Sequence, residues 1–376
     1  MIDHTLMGKN EAHTSDVVRH LYVHFPFCAR ICPYCAFYKT RGNAAEVGRF
    51  CQALVCELQG AAPLSPSTIY FGGGTPTALK ISQLEVILSA FHQLFDLSEL
   101  REWTIEANPG SVSARKAALL KKFGVNRISL GVQSWDNNLL TLLGREHSAP
   151  QAEESFRIFR DAGFSNISLD LMFALPGQTE GQWHDSLQKT ITLEPEHIST
   201  YCLTYEEDTE FLARFEAGEF SADEEREAGF FEMAMTMLER AGYEHYEISN
   251  YARPGFRSEH NQAYWRGADY VGLGPSAFST RGFERWQNVA DHREYARRLF
   301  ANESPVASLE RLTPEMKRTE RIALGLRARE GITADIISID RIHALSRAGL
   351  LRHNTNRIVL TTAGKLLADS VAEELV

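Results

Sequence analysis

Six short runs of apolar, β-branched and aromatic residues punctuate the first part of the chain: Leu21–Phe25, Thr68–Phe71, Trp103–Ala107, Arg127–Val132, Asn166–Leu171 and His197–Cys202. Between them, apolar positions recur at three- and four-residue spacing over Glu46–Gln59, Ile81–Phe95, Ala114–Phe123, Gln151–Ala162 and Gln182–Leu193, which predicts amphipathic helices. Strand–helix alternation repeated along the chain predicts an α/β fold, with parallel strands and helices packed outside them. An open doubly wound sheet and a full or partial β/α barrel both satisfy the pattern. Polar residues at the C-terminal ends of several runs (the Gly72–Thr75 loop, Glu106, Gln133 and Asp170) favour the barrel. A barrel gathers its strand ends around one mouth, whereas a doubly wound sheet binds ligands mainly at one switch point.

A helical pattern over Ala222–Ala241 follows the sixth run, and the stretch from Tyr251 to Asn288, rich in Gly, Pro and aromatics, is expected to be irregular. Helical patterns at Thr313–Arg329 and Asp340–Ala348, a strand-like Arg357–Thr361 and a last helix, Thr362–Leu375, suggest a small winged-helix-like α+β module. The expected organisation is an N-terminal tail over 1–18, a partial (β/α)6 barrel over 19–250, an irregular segment over 251–305 and the module over 306–376. A DNA-reading wing should be basic. Here Arg341, Arg347, Arg352, Arg357 and Lys365 are balanced by Asp335, Asp340, Asp369, Glu373 and Glu374, so a packing or lid role is expected.

Composition narrows the function. The 376 residues are 44% hydrophobic and 23% charged, ordinary globular usage. Lys and Arg total 39 against 49 Asp and Glu, a net charge of −10, which argues against a nucleic-acid or anionic-membrane binder. No stretch approaches the roughly 20 apolar residues of a membrane span, and Met1–Arg19 lacks an apolar signal-peptide core. A cytoplasmic location with reduced thiols is the expectation. Three of the six cysteines then become the centre of interest, because they crowd into one short loop.

Cys28, Cys32 and Cys35 form C-x-x-x-C-x-x-C directly after the first strand-like run. Thiolates select zinc or iron–sulfur. Both normally take four protein ligands, and no fourth Cys lies close by. Three thiolates alone suggest a 4Fe–4S cluster with one iron left open. The amino and carboxylate groups of S-adenosylmethionine suit that iron, and an electron from the cluster can cleave the sulfonium to a 5′-deoxyadenosyl radical. Phe25, Phe27, Tyr34, Phe37 and Tyr38 are expected to wall the site off from water. A zinc site with His24 as fourth ligand remains the alternative. Cys51, Cys56 and Cys202 read as small hydrophobes.

This cysteine spacing, with an aromatic before the last Cys, resembles the signature of the radical S-adenosylmethionine superfamily. Phe71-Gly-Gly-Gly-Thr-Pro76, Thr104-Ile-Glu-Ala-Asn-Pro-Gly110, Asn126-Arg-Ile-Ser-Leu-Gly-Val-Gln-Ser134 and Asp170-Leu-Met-Phe-Ala-Leu-Pro-Gly-Gln178 resemble its coproporphyrinogen III dehydrogenase (HemN) and HemW branch. The resemblance implies a partial six-stranded barrel and a cluster on Cys28, Cys32 and Cys35. It implies S-adenosylmethionine contacts at Gly73, Gly74, Thr75, Glu106, Gln133, Arg145 and Asp170. It also implies contacts at Tyr22 beside the cluster, at Tyr34 near the adenine and at the Thr204 backbone. His260-Asn-Gln-Ala-Tyr-Trp265 resembles a haem-binding motif of the HemW branch, with His260 as axial ligand; without the family, a single His among aromatics is more often an interior, hydrogen-bonded one.

Two departures separate the branches. Phe37 stands where the dehydrogenases carry a further Cys, and about twenty residues precede the first strand where those enzymes have a longer arm. Both place the chain with the HemW type. That resemblance implies haem binding and delivery to respiratory acceptor proteins, a low-potential electron donor, no nucleic acid, at most peripheral membrane contact, and a homodimer. The rival expectation is an enzyme, oxygen-independent oxidative decarboxylation of coproporphyrinogen III. A zinc-stabilised barrel of unrelated activity is the third.

Overall fold

The computed structural model describes residues 18–354 and 356–376; the expected tail, up to residue 17, lies outside them. Six strands form where the runs predict: β1 (His20–Phe25), β2 (Thr68–Gly73), β3 (Glu102–Ala107), β4 (Arg127–Gln133), β5 (Ile167–Phe173) and β6 (His197–Cys202). They pair in parallel in chain order. The helices between them are α1 (Ala44–Ala61), α2 (Ile81–Leu94), α3 (Ala114–Lys122), α4 (Asn137–Leu142), α5 (Ala149–Asp161) and α6 (Glu180–Thr192). Local chemistry sets their starts. In α1 the Asn43 side chain accepts from Ala45 N–H and Glu46 N–H while Glu46 accepts from Asn43 N–H, a capping box.

Period-two alternation gives each strand two environments. Leu21, Val23 and Phe25, with Ile69, Phe71, Trp103, Ile105, Ile128, Leu130, Leu169 and Leu171, face outward into one core with Phe50, Leu54, Leu84, Phe91, Leu120, Phe159 and Leu187 of the helices. Each such side chain contributes about 1.5–3 kcal/mol of burial. The alternate positions are polar and bond across neighbouring strands: His20 to Thr68, Tyr70 to Glu106, Ser129 to Asp170 and Ser168 to His197. Tyr201 of β6 lies within electrostatic reach of Glu106 of β3, so the sheet curls around this polar face. No strand pairing among the described residues closes the curl, which makes it a partial barrel.

Beyond β6 come α7 (Glu210–Glu216), α8 (Glu224–Arg240), β7 (Glu244–Glu247), β8 (Asn250–Ala252), α9 (Glu259–Trp265), β9 (Tyr270–Leu273), β10 (Phe278–Arg281), β11 (Glu284–Asn288), α10 (His292–Phe300) and β12 (Val306–Arg311). The stretch expected to be irregular is therefore largely ordered. Its strands extend the sheet at both margins, giving the twelve-stranded order β12-β11-β10-β9-β1-β2-β3-β4-β5-β6-β8-β7. β12 pairs with β11, so the large sheet continues past residue 305.

The C-terminal part carries α11 (Pro314–Leu326), β13 (Ile332–Thr333), α12 (Ile339–Arg347), β14 (Leu351–Asn354), β15 (Arg357–Leu360), α13 (Thr362–Leu366) and α14 (Ala368–Leu375). The expected last helix is broken at Leu367, which caps both pieces. A three-stranded sheet and its own core, including Ile322, Leu326, Ile342, Ile358 and Leu375, match the winged-helix-like expectation. It docks on the β7 margin: Ile248 N–H donates to Arg327 O at 3.0 Å, Arg329 N–H to Tyr246 O at 2.9 Å, and Lys365 Nζ meets His245 Nδ1 at 2.8 Å. No helix among the described residues is long and apolar enough to cross a membrane.

Candidate cofactor site

The cysteine loop leaves β1 at the C-terminal mouth and is pinned at its base. Cys28 N–H donates to Thr40 O at 3.0 Å and Thr40 N–H to Pro26 O at 2.7 Å. His24 Nε2 meets Tyr38 O at 2.8 Å, and Lys39 Nζ donates to Cys35 O. The three thiols are free and half-buried. Thr75 Oγ1 donates toward Cys28 Sγ and Arg145 Nη1 toward Cys32 Sγ, each at 3.6 Å. Burial pushes the Cys28 and Cys35 thiols up. Among the described residues no three His, Cys, Asp or Glu side chains already converge as a metal site, and the three thiols share one loop within electrostatic reach of one another.

The glycine turn after β2 presses on this loop. Gly74 N–H donates to Phe25 O at 2.6 Å and Thr75 N–H to Phe27 O at 2.9 Å. A Cβ on Gly74 would lie 2.8 Å from both carbonyl oxygens, and one on Gly73, at φ +104°, would lie 2.6 Å from the His24 ring. Only glycine lets the two backbones approach this closely.

Glu106, at the end of β3, accepts from Tyr70 OH at 2.9 Å and Gly73 N–H at 3.1 Å. Burial, with the charge of Asp170 adding to it, pushes its carboxyl up to about 7. Arg145 Nη2 donates to Asn108 Oδ1 at 2.9 Å and Gly131 O at 2.8 Å, and its buried Nε has no partner among the described residues. Gln133 ends β4 at φ +66°. Asp170 accepts from the hydroxyls of Ser129, Ser168 and Ser199 at 2.6–2.8 Å. Gly73, Gly74, Thr75, Glu106, Gln133 and Arg145 thus sit together around the cysteine loop, with Asp170 deeper on the polar face.

Other expected residues are placed differently. Tyr22 lies on the polar face, its OH 3.0 Å from His24 Nδ1 and its ring stacked on Tyr70. Tyr34 packs on Phe211 with its phenol pushed up by burial, but it stays at the cysteine loop, within reach of Arg145, Cys32 and Cys35. Thr204 is exposed past the end of β6 and bonded to Glu206 at 2.9 Å. Phe25 and Phe27 face the α1 core rather than the cysteines, and Phe37 is 70% exposed, so these three do not form the expected dry wall. Both ring nitrogens of His24 are engaged, which removes it as a fourth zinc ligand.

His260 sits at the other end of the barrel. Its Nδ1 meets Oγ1 of Thr68, the first residue of β2, at 2.9 Å, while the cysteine loop lies beyond the last residue of that strand. At about 3.3 Å per residue the strand alone separates them by roughly 16 Å. Its N–H donates to Glu102 Oε1 at 3.1 Å, and its ring tilts against Tyr70. Burial drives its pKa to about 3, leaving a neutral imidazole. Tyr264 is 43% exposed, and Trp265 lies under the Arg327 guanidinium. Residues that motif reasoning missed, Tyr70, Tyr201, Asn108 and Arg127, are chiefly the inward partners of the strands. Strand parity, counted from Glu106 or Asp170, marks the three that lie on strands.

The donor set fits an iron–sulfur cluster with a small cofactor beside it. It has three free thiols, two hydrogen-bond donors aimed at sulfur, a turn that a Cβ would fill, and an unpaired buried guanidinium nitrogen at the rim. Residues 22–190 match the Radical SAM superfamily. The chain is 35% identical over 365 residues to a protein named "Heme chaperone HemW" from Lactococcus lactis, covering 94% of this chain and 96% of that one. It is also 35% identical over 371 residues to one of the same name from Bacillus subtilis, covering 94% and 98%. Among solved structures, the Escherichia coli coproporphyrinogen III oxidase (HemN), described as a radical SAM enzyme, superposes with a TM-score of 0.82 at 21% identity, covering 96% of this chain and 90% of that one.

Proposed function

The chain belongs to the HemW family of the radical S-adenosylmethionine superfamily, and from that premise we propose that it is a haem chaperone, binding haem and passing it to respiratory acceptor proteins. Cys28, Cys32 and Cys35 hold a 4Fe–4S cluster. Gly73, Gly74, Thr75, Glu106, Gln133, Arg145 and Asp170, with Tyr22, Tyr34 and Thr204, bind S-adenosylmethionine. When bound, the cluster supplies single electrons and one iron with an open position. The chain's own contribution is placement. Thr75 and Arg145 donate to sulfur. Glu106 offers a carboxylate to the cofactor's ammonium, and the glycine turn brings backbone against it.

His260 is the haem ligand in this proposal, and its state is the observation that carries it. The imidazole is neutral, its Nδ1 is fixed on Thr68, and no hydrogen bond among the described residues engages Nε2. A ring held by one nitrogen with the other open is the arrangement of a metal-ligating histidine. The partners that follow are haem acceptors, a low-potential one-electron donor and a second copy of the chain.

Haem titration of the full chain, followed at the Soret band, tests the proposal. Wild type should shift the band and His260→Ala should lose or weaken the shift; equal binding by both overturns the ligand assignment. The competing enzyme reading draws on the HemN likeness, which at 21% identity speaks to fold alone. Anaerobic incubation with coproporphyrinogen III, S-adenosylmethionine and reductant should yield no protoporphyrinogen IX; its formation would replace the chaperone by the enzyme.

A further inference from the structure

The twelve-stranded sheet ends differently at its two margins. Beyond β7, Glu247 bridges Ala328 of the C-terminal part, and the bonds from Ile248 N–H and Arg329 N–H continue that seam. Beyond β12, no strand among the described residues pairs with the outer side. Register decides which groups are left there. Leu312 N–H donates to Phe283 O at 2.8 Å, and Glu310 and Ser308 stand opposite Arg285 and Gln287 of β11 in the antiparallel pair. Backbone bonds of an antiparallel pair alternate in direction. Ser308, Glu310 and Leu312 therefore point theirs at β11, and Ala307, Leu309 and Arg311 point theirs away from it. No hydrogen bond among the described residues engages the backbone of those three, and 307–311 are all exposed. Large apolar side chains lie open at the same margin: Leu309 is 57% exposed, with Phe278 of β10 and Phe283 of the β10–β11 turn beside it in the sheet. An open edge with apolar surface around it is a template for another strand.

The strand that fits this edge is its own copy. Laid antiparallel across a two-fold axis at Leu309, each β12 uses all of its outward groups. Leu309 meets Leu309 of the second copy, and Ala307 and Arg311 meet each other in both directions, with two backbone bonds per pair. On one face Trp286, opposite Leu309 on β11, extends the paired leucines into an apolar row across both copies. On the other face Glu310 stands opposite Ser308 rather than another acid, and Arg285 of its own sheet lies 3.7 Å away. Sliding the pair by two residues one way sets Glu310 against Glu310. Sliding it the other way sets Arg311 against Pro305, which has no N–H to give. The covered β7 margin stops the association at two copies, a closed rather than a continuing assembly. We propose that β12 joins two copies of this chain edge to edge, antiparallel and centred on Leu309. This gives a surface to the second-copy partner of the reading above and rests on that part of it.

Sedimentation velocity of the full chain, prepared without oxygen and followed over a dilution series in low salt, tests the pairing. Wild type should be a dimer that dissociates on dilution. Leu309→Pro removes an N–H that points outward and leaves the bonds to β11 in place; it should weaken the dimer at least about tenfold. Ser308→Lys sets a cation opposite Glu310 of the other copy, and Ser308→Glu sets an acid there, once on each side of the axis. The first should tighten the dimer and the second loosen it, each by about threefold or more. Opposite signs at one exposed position do not arise from unfolding. A wild type that stays monomeric up to about 0.1 mM overturns the second-copy reading and this surface with it. A dimer that none of the three changes moves overturns the surface alone. A dimer that both Ser308 variants loosen overturns the Leu309-centred pairing.

Discussion

Replacing Glu106 by Gln removes one titrating charge from the barrel mouth and keeps an acceptor there. In the wild type, burial first and the Asp170 charge next push this carboxyl from 4.5 to about 7, against the pull of its donors Tyr70 OH and Gly73 N–H. A rise of roughly 2.5 units corresponds to about 3 kcal/mol. The sign follows from proton linkage. Below about pH 4.5 both folded and unfolded chains are protonated at this site and the full stability is present. Between about 4.5 and 7 the unfolded chain releases its proton while the folded one keeps it, so stability falls as pH rises, and the loss is complete above about 7. The amide of the variant does not titrate. It places an NH2 against one of the two donors, but that offset does not depend on pH. Urea unfolding of both ligand-free chains from about pH 4 to about pH 8 should therefore show the wild-type advantage shrinking by about 3 kcal/mol. Glu247, which burial also pushes up to about 7, adds a parallel fall to both chains and cancels in the difference. S-adenosylmethionine should reverse the trend, because its ammonium favours the ionised carboxylate; its affinity should rise through pH 7 in wild type and stay flat in the variant. A stability difference that does not change with pH would show that the Glu106 carboxyl is not raised in the folded chain.

Gly73→Ala forces a Cβ into a left-handed position 2.6 Å from a His24 ring that is tethered at both nitrogens; urea unfolding should show a loss of at least about 1–2 kcal/mol. Phe37→Ala removes a 70% exposed ring and should change unfolding free energy by less than about 0.5 kcal/mol; a larger loss would show that the ring packs on something. Lys365, buried against His245, is held down at about 8 from 10.5. Its contribution is complete above about pH 10.5 and lost as pH falls through about 8, so wild-type melting temperature should climb over that range and Lys365→Met should not.

The six parallel strands were legible because each alternates a residue for the helices with a residue for the interior, and because helices of ordinary length separate them. The same alternation places Phe25 with Leu21 and Val23 on the outward side; proximity to the cysteines in sequence obscured it. β9, β10 and β11 were not legible. Each is four or five residues long, and what makes Tyr270–Leu273 a strand is its parallel pairing with His20–Val23, some 250 residues earlier. Most motif residues of the mouth could be grouped because they all follow strand ends. His260 could not be placed, since its position depends on Glu102 and Thr68 meeting the start of a helix that no local pattern announces.

The inward side of the strands is held by directional bonds between particular partners on adjacent strands. Removing one partner orphans the other at a loss of about 1–3 kcal/mol, whereas exchanging both together can be nearly neutral. Drift along this lineage should therefore change His20 with Thr68, Tyr70 with Glu106, and Ser168 with His197 as couples, while outward positions such as Leu21 or Ile69 vary singly within their volume limits. A set of such paired exchanges is a route by which one scaffold acquires a different interior without passing through an unfoldable intermediate sequence.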